Sequence, residues 1–296
     1  MSRSNPDGLA VGGEEEATRL RRIELSLHPL QSFPVPSSDG YSVYSALLAV
    51  LDEVDPGVSA RVHDSPLGSL HSSGLVGSFG RSDRAHHKTV RAGETYELTL
   101  GVVDPADAEV FQALVSGLVL EGDSLELSHG TMQVETFEST NASHEELLAQ
   151  AASTEGSGVE VRFRTPTCIE EADDVTTMFP YRAAVFRSLL GKWNMTCPEK
   201  LALELDRETI LAQVIEKPDA RTFQTHSVLV NRVRNEDGEN RNIFAQGFTG
   251  TCGYGFKGAS EAVRNAVVAL ALFGEYSGVG SAVARGCGSV GVELKA

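Results

Sequence analysis

The same series of strand and helix patterns occurs twice along the 296-residue chain, and this repetition constrains the fold more than any other feature. In the first half, residues 22–28 alternate apolar and polar side chains, which predicts a strand, and residues 39–55 place apolar side chains at helical spacing. Ser38 or Asp39 is expected to cap this helix. The half continues with a strand, a helix and a hairpin, at residues 94–103, 104–118 and 125–137.

The second half follows the same scheme. Its strand, helix, hairpin, helix and strand patterns lie at residues 159–163, 181–193, 227–256, 260–273 and 289–294. Ser260 is expected to cap the second of these helices. We assign to each half the order strand, helix, strand, strand, helix, strand, which is the ferredoxin-like order. The sequence therefore predicts an α+β protein of two tandem ferredoxin-like (RRM-like) domains with a C-terminal glycine-rich loop.

The predicted domain boundaries follow from composition. The first residues are polar and glycine-rich and include three consecutive glutamates, which is typical of a disordered tail. A stretch rich in Ser, Thr and Gly separates the two halves and suits a linker. We expect an acidic tail at residues 1–20, a first domain at 21–151, a linker at 152–158 and a second domain at 159–296.

The formal net charge of −16, from 25 basic and 41 acidic side chains, would by itself argue against a nucleic-acid partner. The charge is unevenly distributed, because residues 221–296 hold eight bases and six acids, whereas residues 1–220 hold 17 bases and 35 acids. Only six of the bases are lysines, and an acidic, lysine-poor composition is typical of proteins from salt-loving cells. We therefore attribute the total charge to a halophilic habitat and the basic C-terminal region to binding.

Several classes of site are not supported by the residues. The four cysteines lie far apart without a CxxC pair, and no HExxH motif occurs, so neither a metal site nor a disulfide framework is predicted. The longest apolar run has eight residues, well short of the roughly 20 that cross a bilayer. The N-terminus lacks the apolar core of a secretion signal, and we expect a cytoplasmic protein without a cofactor.

A run of glycines between the last helix pattern and the last strand pattern is the sharpest local motif. It contains Gly278, Gly280, Arg285, Gly286 and Gly288. Glycines at this density let backbone N–H groups form an anion cradle, to which an arginine adds a phosphate contact. The run follows a helix and lacks Gly-Lys-Ser/Thr, so it is neither a dinucleotide-binding fingerprint nor a P-loop. The alternative is a tight connection that needs glycine only for its geometry.

An ordered series of short motifs agrees in order and spacing with a known family. The motifs are helix 39–55 with Pro56 and Val62-His63-Asp64, Phe163-Arg164-Thr165-Pro166-Thr167, Phe179-Pro180, Lys192-Trp193-Asn194, Gly247-Phe248-Thr249-Gly250, and Glu275-Tyr276-Ser277 leading into the glycine run. Over about residues 20–296, the chain resembles the CRISPR-associated endoribonucleases that cut precursor guide RNA within its repeats. These belong to the repeat-associated RNA-binding superfamily, and the acidic composition suits a haloarchaeal member.

The resemblance implies metal-independent RNA cleavage to mature guide RNAs, in which the ribose 2′-OH attacks the scissile phosphate and leaves a 2′,3′-cyclic phosphate and a 5′-OH. The family's histidine matches His63, which would act as base for the 2′-OH or as acid for the leaving oxygen. Some members add a tyrosine and a lysine, where this chain has Leu48 and, nearby, Ser69. Tyr44 and Tyr41, one and two turns before Leu48, are the candidate substitutes.

Candidate RNA contacts lie on predicted strands as well as in the glycine run. Alternation places two second-domain arginine pairs, each on one face of its strand, and guanidinium groups suit phosphate contact and base stacking. Two strand serines are weaker candidates for hydroxyl contacts. The candidates are Arg162, Arg164, Arg232, Arg234, Ser128 and Ser227.

The expected partners are CRISPR repeat RNA and other subunits of a CRISPR interference complex. Two alternatives stay open. A non-catalytic RNA-binding subunit of such a complex would have the same fold and glycine run without a working histidine. A nucleotide-binding metabolic enzyme is disfavoured, because the glycine run has the wrong strand–helix order and lacks an acidic ribose partner.

Overall fold

The computed structural model of the protein describes residues 19–64, 70–120, 122–154, 156–171, 175–234 and 240–295. Across these ranges the chain forms two halves, each built on a five-stranded antiparallel sheet covered by helices. None of the helices in the described ranges is long and apolar enough to cross a membrane. The expected tail at residues 1–20 lies outside the described residues except for its last two, and Leu20 already begins the first strand.

The first half begins with a central strand and the helices that cover it. In chain order the elements are β1 (Leu20–Pro29), β2 (Phe33–Pro36), α1 (Gly40–Val54), α2 (Pro56–Asp64), β3 (Leu70–Ser72), β4 (Gly80–Arg81), β5 (His87–Val90), β6 (Tyr96–Val102), α3 (Ala108–Val115), β7 (Ser124–Leu127), β8 (Gly130–Ala142) and α4 (His144–Ala152). A 3-10 turn at Pro105–Asp107 and a π turn at Ser116–Leu120 flank α3.

The main sheet of this half has the order β3-β6-β1-β8-β7. Alternate residues of β1, among them Ile23, Leu25 and Leu27, are buried, as the period of a strand with one covered face requires. Helix α1 supplies Leu47 and Leu51 to the same core. With β1 between β6 and β8, the first strand of the βαββαβ unit pairs with the third strand on one side and the last on the other, as the predicted fold requires.

The second half repeats this arrangement. Its elements are β9 (Gly158–Thr167), β10 (Ile169–Glu170), β11 (Thr176–Thr177), α5 (Arg182–Thr196), α6 (Arg207–Gln213), β12 (Val214–Pro218), β13 (Gln224–Arg234), β14 (Asn240–Phe256), α7 (Glu261–Ser277) and β15 (Val290–Lys295), with 3-10 turns at Glu199–Leu201 and Val283–Arg285. The sheet order is β12-β14-β9-β15, and β13 pairs with another part of β14. The prediction of tandem ferredoxin-like domains is confirmed.

The two halves pack against each other. The second core includes side chains of the first half such as Leu20 and Val103, and α4 lies along α7. The ring of His144 contacts Trp193 and Phe273, with centroids 4.6 Å and 5.6 Å apart. Residues 278–288, called the glycine loop from here on, run from α7 to β15 between the halves.

The structure differs from the sequence-based expectations mainly in short elements. Helix α2 has only nine residues and β3 only three, so neither repeats a pattern long enough to be recognised. Ser260 caps α7 as expected, accepting a hydrogen bond from the Val263 N–H at 3.3 Å. Asp39 occupies the N-cap position of α1 but makes no capping bond. Its buried carboxylate instead pairs with the Lys88 ammonium at 3.3 Å, because a buried charge needs a partner more than a helix end does.

Candidate functional site

Helices α1 and α2 form a hairpin that determines where the candidate histidine lies. Asp55, the single residue between them, accepts the Gly57 N–H at 2.8 Å and so begins α2. The hydroxyl of Ser59 donates to the Leu48 carbonyl at 3.1 Å, which directs α2 back along α1. Four further residues, about 6 Å along each helix, bring the main chain of His63 towards the level of Tyr44. The side chain of His63 lies outside the described part of the structure.

Tyr44 is in contact with the glycine loop. The guanidinium carbon of Arg285 lies 5.6 Å from the centre of the Tyr44 ring. Arg285 is held there by a hydrogen bond of 3.0 Å from its Nη1 to the Val230 carbonyl of β13. Tyr44 is 5% exposed, so this pair is largely covered. The contact joins a candidate of the first half to the basic residue of the glycine loop.

Tyr41, one turn earlier on α1, makes a similar contact with β13. The guanidinium of Arg232 lies 5.9 Å from its ring centre. Arg232 also lines a small cavity of about 160 Å³ between the halves, together with Ser128, His87 and His129 among others. No carboxylate of a described residue lines this cavity, so Arg232 gives it positive charge. The structure thus brings together Tyr41, Arg232 and Ser128, and places Ser128 in a turn rather than on a strand.

The glycine loop is packed against backbone on both sides. A methyl group on Gly286 would lie 2.6 Å from the Cα of Gly40, at the start of α1. One on Gly288 would lie 2.0 Å from the Val279 carbonyl oxygen, and one on Gly280 2.2 Å from the Cys168 carbonyl oxygen. These three glycines, and Gly278 at the start of the loop, also have positive φ angles. Close approach and left-handed backbone therefore require glycine at these positions, whatever else they contact.

Two ionisable side chains, Lys192 and His71, lie where the glycine loop begins. The Lys192 ammonium donates to the carbonyls of Ser277 and Gly278, at 3.3 Å and 2.9 Å, and burial lowers its pKa to about 7. His71 of β3 lies against Gly278 and is 2% exposed, with no described hydrogen-bond partner for either ring nitrogen. Burial, followed by the charges of Lys192 and Arg22, lowers the pKa of His71 to about 3. These residues attach the loop to both halves.

Replacing His71 by leucine should make the fold less sensitive to acid. The folded state holds the pKa of His71 at about 3, so between about pH 6.5 and 3 it binds fewer protons than the unfolded chain. As pH falls through this window, the free energy of unfolding of the wild type should decrease by up to about 1.4 kcal/mol per pH unit because of this group. The variant lacks the group and should not show this decrease. Urea unfolding at several pH values measures this, with His28→Leu on β1 as the control. Parallel pH curves for wild type and His71→Leu would contradict the prediction.

The arginine face predicted on β9 lines a larger cleft, of about 970 Å³, between the two halves. Arg162 and Arg164 both lie there, and Arg164 forms an ion pair with Glu97 of β6. The charged residues of the cleft are Arg22, Arg162, Arg164, Glu97, Glu160, Glu275 and Glu293. Four carboxylates therefore oppose three guanidinium groups, so this cleft is less suited to phosphate than the cavity at Arg232.

No described contact brings the two remaining candidates, Ser227 and Arg234, to Tyr44 or to the small cavity lined by Arg232. The hydroxyl of Ser227 accepts a hydrogen bond from the Gln246 amide across the β13–β14 hairpin, at 3.0 Å. Arg234 ends β13, and its side chain lies outside the described residues. Over the described ranges, no group of three or more His, Cys, Asp or Glu side chains is arranged to hold a metal ion.

Sequence reasoning missed three residues around the small cavity. His87 and His129 line it, and the Arg84 guanidinium donates to the His129 Nε2 at 3.0 Å. The position of His129 beside Ser128 in the predicted hairpin turn was a usable signal for that residue. Nothing local connects Arg84 or His87 with this turn, because they lie more than 40 residues earlier and reach it only through the packing of β5.

Comparison with known proteins gives a family for part of the chain and a fold for most of it. Residues 161–290 match the family model described as CRISPR-associated endoribonuclease Cas6. No curated protein sequence matches the chain.

The whole chain resembles solved Cas6 structures. The product complex of Cas6 (TTHB231), which is from Thermus thermophilus, has a TM-score of 0.66 and 18% identity, covering 93% of this chain and 100% of that one. The product complex of Cas6 (TTHA0078) has a TM-score of 0.62 and 21% identity, covering 93% and 99%. A Cas6-related protein from Pyrococcus furiosus has a TM-score of 0.62 and 15% identity, covering 93% and 98%. Residues 161–290 therefore match the Cas6 family model, and the chain has the fold of solved Cas6 structures over 93% of its length.

Proposed function

We propose that the protein is an endoribonuclease that cleaves precursor CRISPR RNA within its repeats. The observation that carries this proposal is the meeting of α1 with the glycine loop, through Tyr44 and Arg285, in a chain matched to Cas6 over residues 161–290. The two Cas6 proteins TTHB231 and TTHA0078 have been solved as product complexes, and TTHA0078 also with a substrate mimic. The reaction proposed here is attack by the ribose 2′-OH, leaving a 2′,3′-cyclic phosphate and a 5′-OH, without a metal ion.

His63 is the proposed proton-transfer group. An imidazole exchanges protons near neutral pH and can serve either the attacking 2′-OH or the leaving 5′-oxygen. The α1–α2 hairpin brings the main chain of His63 towards Tyr44, and Tyr44 contacts Arg285. We therefore assign Tyr44, His63 and Arg285 to one proposed site, to which α1, α2 and the glycine loop each contribute a residue.

The small cavity beside Tyr41 is the proposed binding site for a phosphate group of the RNA. Arg232 supplies positive charge there, and no carboxylate of a described residue lines the cavity to offset it. Guanidinium groups bind phosphate oxygens through two parallel N–H bonds, and the Ser128 and Ser42 hydroxyls on the same wall can donate further bonds. These groups would orient the RNA backbone while His63 moves protons.

The proposed chemistry is tested by incubating the purified chain with a repeat-containing RNA in EDTA. We expect one specific cut per repeat, ending in a cyclic phosphate and a 5′-OH. A single 2′-deoxy nucleotide at the cut position should block the reaction, since it removes the nucleophile. A requirement for added Mg²⁺, or a cut that survives the 2′-deoxy substitution, would contradict the mechanism.

Arg232→Gln should weaken RNA binding by removing one phosphate contact. The slope of the logarithm of affinity against the logarithm of salt concentration should become shallower by about 0.7 to 0.9, as expected for one lost contact. Filter binding across a range of KCl concentrations measures this slope. The matched control is Arg264→Gln, which replaces an exposed arginine of α7 that does not line the cavity. Equal slopes for both variants would remove Arg232 from the proposed interface.

A second candidate function is a non-catalytic RNA-binding subunit of an interference complex. Two observations favour it. Tyr44 is almost completely buried. In addition, Leu48 and Ser69 stand at or near the positions where some members of the resembled family carry a tyrosine and a lysine. Tight, specific binding of repeat RNA without any cut would support this candidate. In either case we propose repeat RNA as the partner, with other subunits of such a complex able to bind the protein–RNA product.

A further inference from the structure

Another polar pocket borders the start of the glycine loop. It has a volume of about 530 Å³, which is within the range of small-molecule sites. Its walls come from β10, α5, the first residue of α6, and the start of the glycine loop. The polar lining residues are Glu170, Glu171, Arg187, Ser188, Arg207 and Ser281. We call it the β10–α5 pocket.

The pocket presents both hydrogen-bond donors and acceptors that are not paired with each other. No carboxylate of a described residue lies within ion-pair distance of Arg187 or Arg207, although Glu170 and Glu171 are on the same lining. The guanidinium of Arg207 lies 5.9 Å from the Tyr181 ring centre, which helps to hold it in place. Two guanidinium groups and two carboxylates therefore line one cavity without pairing with each other, so both kinds of group can bind a ligand.

A serine hydroxyl of this pocket is oriented by the glycine loop itself. The Ser188 Oγ accepts the Gly280 N–H at 2.9 Å, and no described residue accepts the Ser188 hydroxyl proton. Ser281 is anchored differently, because its hydroxyl donates to the Cys168 carbonyl at 3.2 Å. Ser188 thus offers one more donor, and its position depends on the backbone of the glycine loop.

This mixture of groups suits a nucleobase better than a bare phosphate. Two carboxylates on the lining oppose an anion, whereas a base with acceptor and donor edges can use both kinds of group. Guanine offers the O6 and N7 acceptors that match an arginine fork, and its N1–H and N2–H donors match a carboxylate. Adenine and cytosine present only their exocyclic amine to a carboxylate, so each makes fewer hydrogen bonds to the two kinds of group than guanine does. Single-stranded RNA bases are commonly read through these edges in pockets of proteins.

We propose that the β10–α5 pocket binds one unpaired guanine of the substrate RNA. Arg187 or Arg207 would donate to O6 and N7, and Glu170 or Glu171 would accept from N1–H and N2–H. The inference rests on the proposed function for the source of the guanine, since the pocket and the Tyr44–Arg285 contact lie on the same glycine loop. The pocket then contributes sequence specificity at a nucleotide outside the cleavage site.

Titration of the full chain with guanosine 5′-monophosphate, followed by equilibrium dialysis, tests the pocket without any cleavage assay. We expect guanosine monophosphate to bind at least about fivefold more tightly than the adenosine and cytidine monophosphates. Arg187→Gln and Glu171→Gln should each weaken this binding by a similar factor, and Arg264→Gln should leave it unchanged.

Three results would overturn the proposal. These are equal binding of the three monophosphates, full displacement of guanosine monophosphate by inorganic phosphate at equal concentration, and binding unaffected by either pocket variant. Cleavage of repeat RNA together with no guanosine binding would reject the pocket alone. Guanosine binding by a chain that does not cut repeat RNA would reject the proposed function and leave the pocket in place.

Discussion

Replacing His63 by alanine should lower the rate of repeat-RNA cleavage by about 10²–10⁴-fold while changing RNA affinity by less than about twofold. The reason is that alanine removes the proposed proton-transfer group but none of the proposed phosphate contacts, which come from Arg232 and the glycine loop. Single-turnover cleavage with saturating protein measures the chemical step, and filter binding with a 2′-deoxy substrate measures affinity. Because His63 lies near the end of α2, the substitution should leave the fold intact.

The control for this experiment is His28→Ala, which removes a half-buried histidine on β1 that carries no proposed role. It should cleave at the wild-type rate. Cleavage by His63→Ala at a rate within tenfold of the wild type would reject His63 as the proton-transfer group. His87 and His129, both lining the small cavity, would then become the histidines to replace.

Substituting alanine for Gly286 should strongly destabilise the fold. The residue has φ of +83°, which costs an L-residue about 1–2 kcal/mol, and its new methyl group would lie 2.6 Å from the Cα of Gly40. Overpacking of this kind costs about a further 1–3 kcal/mol. We therefore expect the free energy of unfolding to fall by about 2–5 kcal/mol, as measured by urea titration.

Two matched variants separate the backbone cost from the packing cost. Gly258→Ala has the same kind of left-handed backbone, φ +63°, but open space around it, so it should lose only about 1–2 kcal/mol. Gly40→Ala lacks the positive φ but would place its methyl group 2.1 Å from the Arg285 carbonyl oxygen. Equal losses for Gly286→Ala and Gly258→Ala would show that the loop does not need its close contact with α1.

Much of the fold was predictable because its signals are local. The alternation in β1 and β9, the helical spacing in α1 and α7, and the cap at Ser260 all depend on residues near one another in the chain. The elements that were missed, such as α2 and β3, are too short to repeat their period. They are stabilised by burial against neighbours, among them Val58, Val62 and Leu70, and a local pattern does not show such burial.

The candidate site was predictable only in part, for a related reason. The sequence indicated Tyr41, Tyr44, Arg232 and Arg285 as separate candidates, and the structure places them in two ring–guanidinium pairs. It also assigned Arg162 and Arg164 to a face of β9, where they do lie, but it could not show the carboxylates opposite them. Glu160 shares this face of β9, two residues before Arg162. Glu97, Glu275 and Glu293 come from other strands and from α7, so only packing brings these three into the same cleft.

By itself, the sequence predicted the two ferredoxin-like domains and the place of the glycine loop between the last helix and the last strand. Each of these depends on side-chain periodicity or backbone preference within a few consecutive residues. Only the tertiary structure decided what the loop touches: Gly40 and His71 in the first half, and Lys192 and Cys168 in the second. Such contacts join residues 86 or more positions apart, and they arise from the packing of complete elements, which no local pattern encodes.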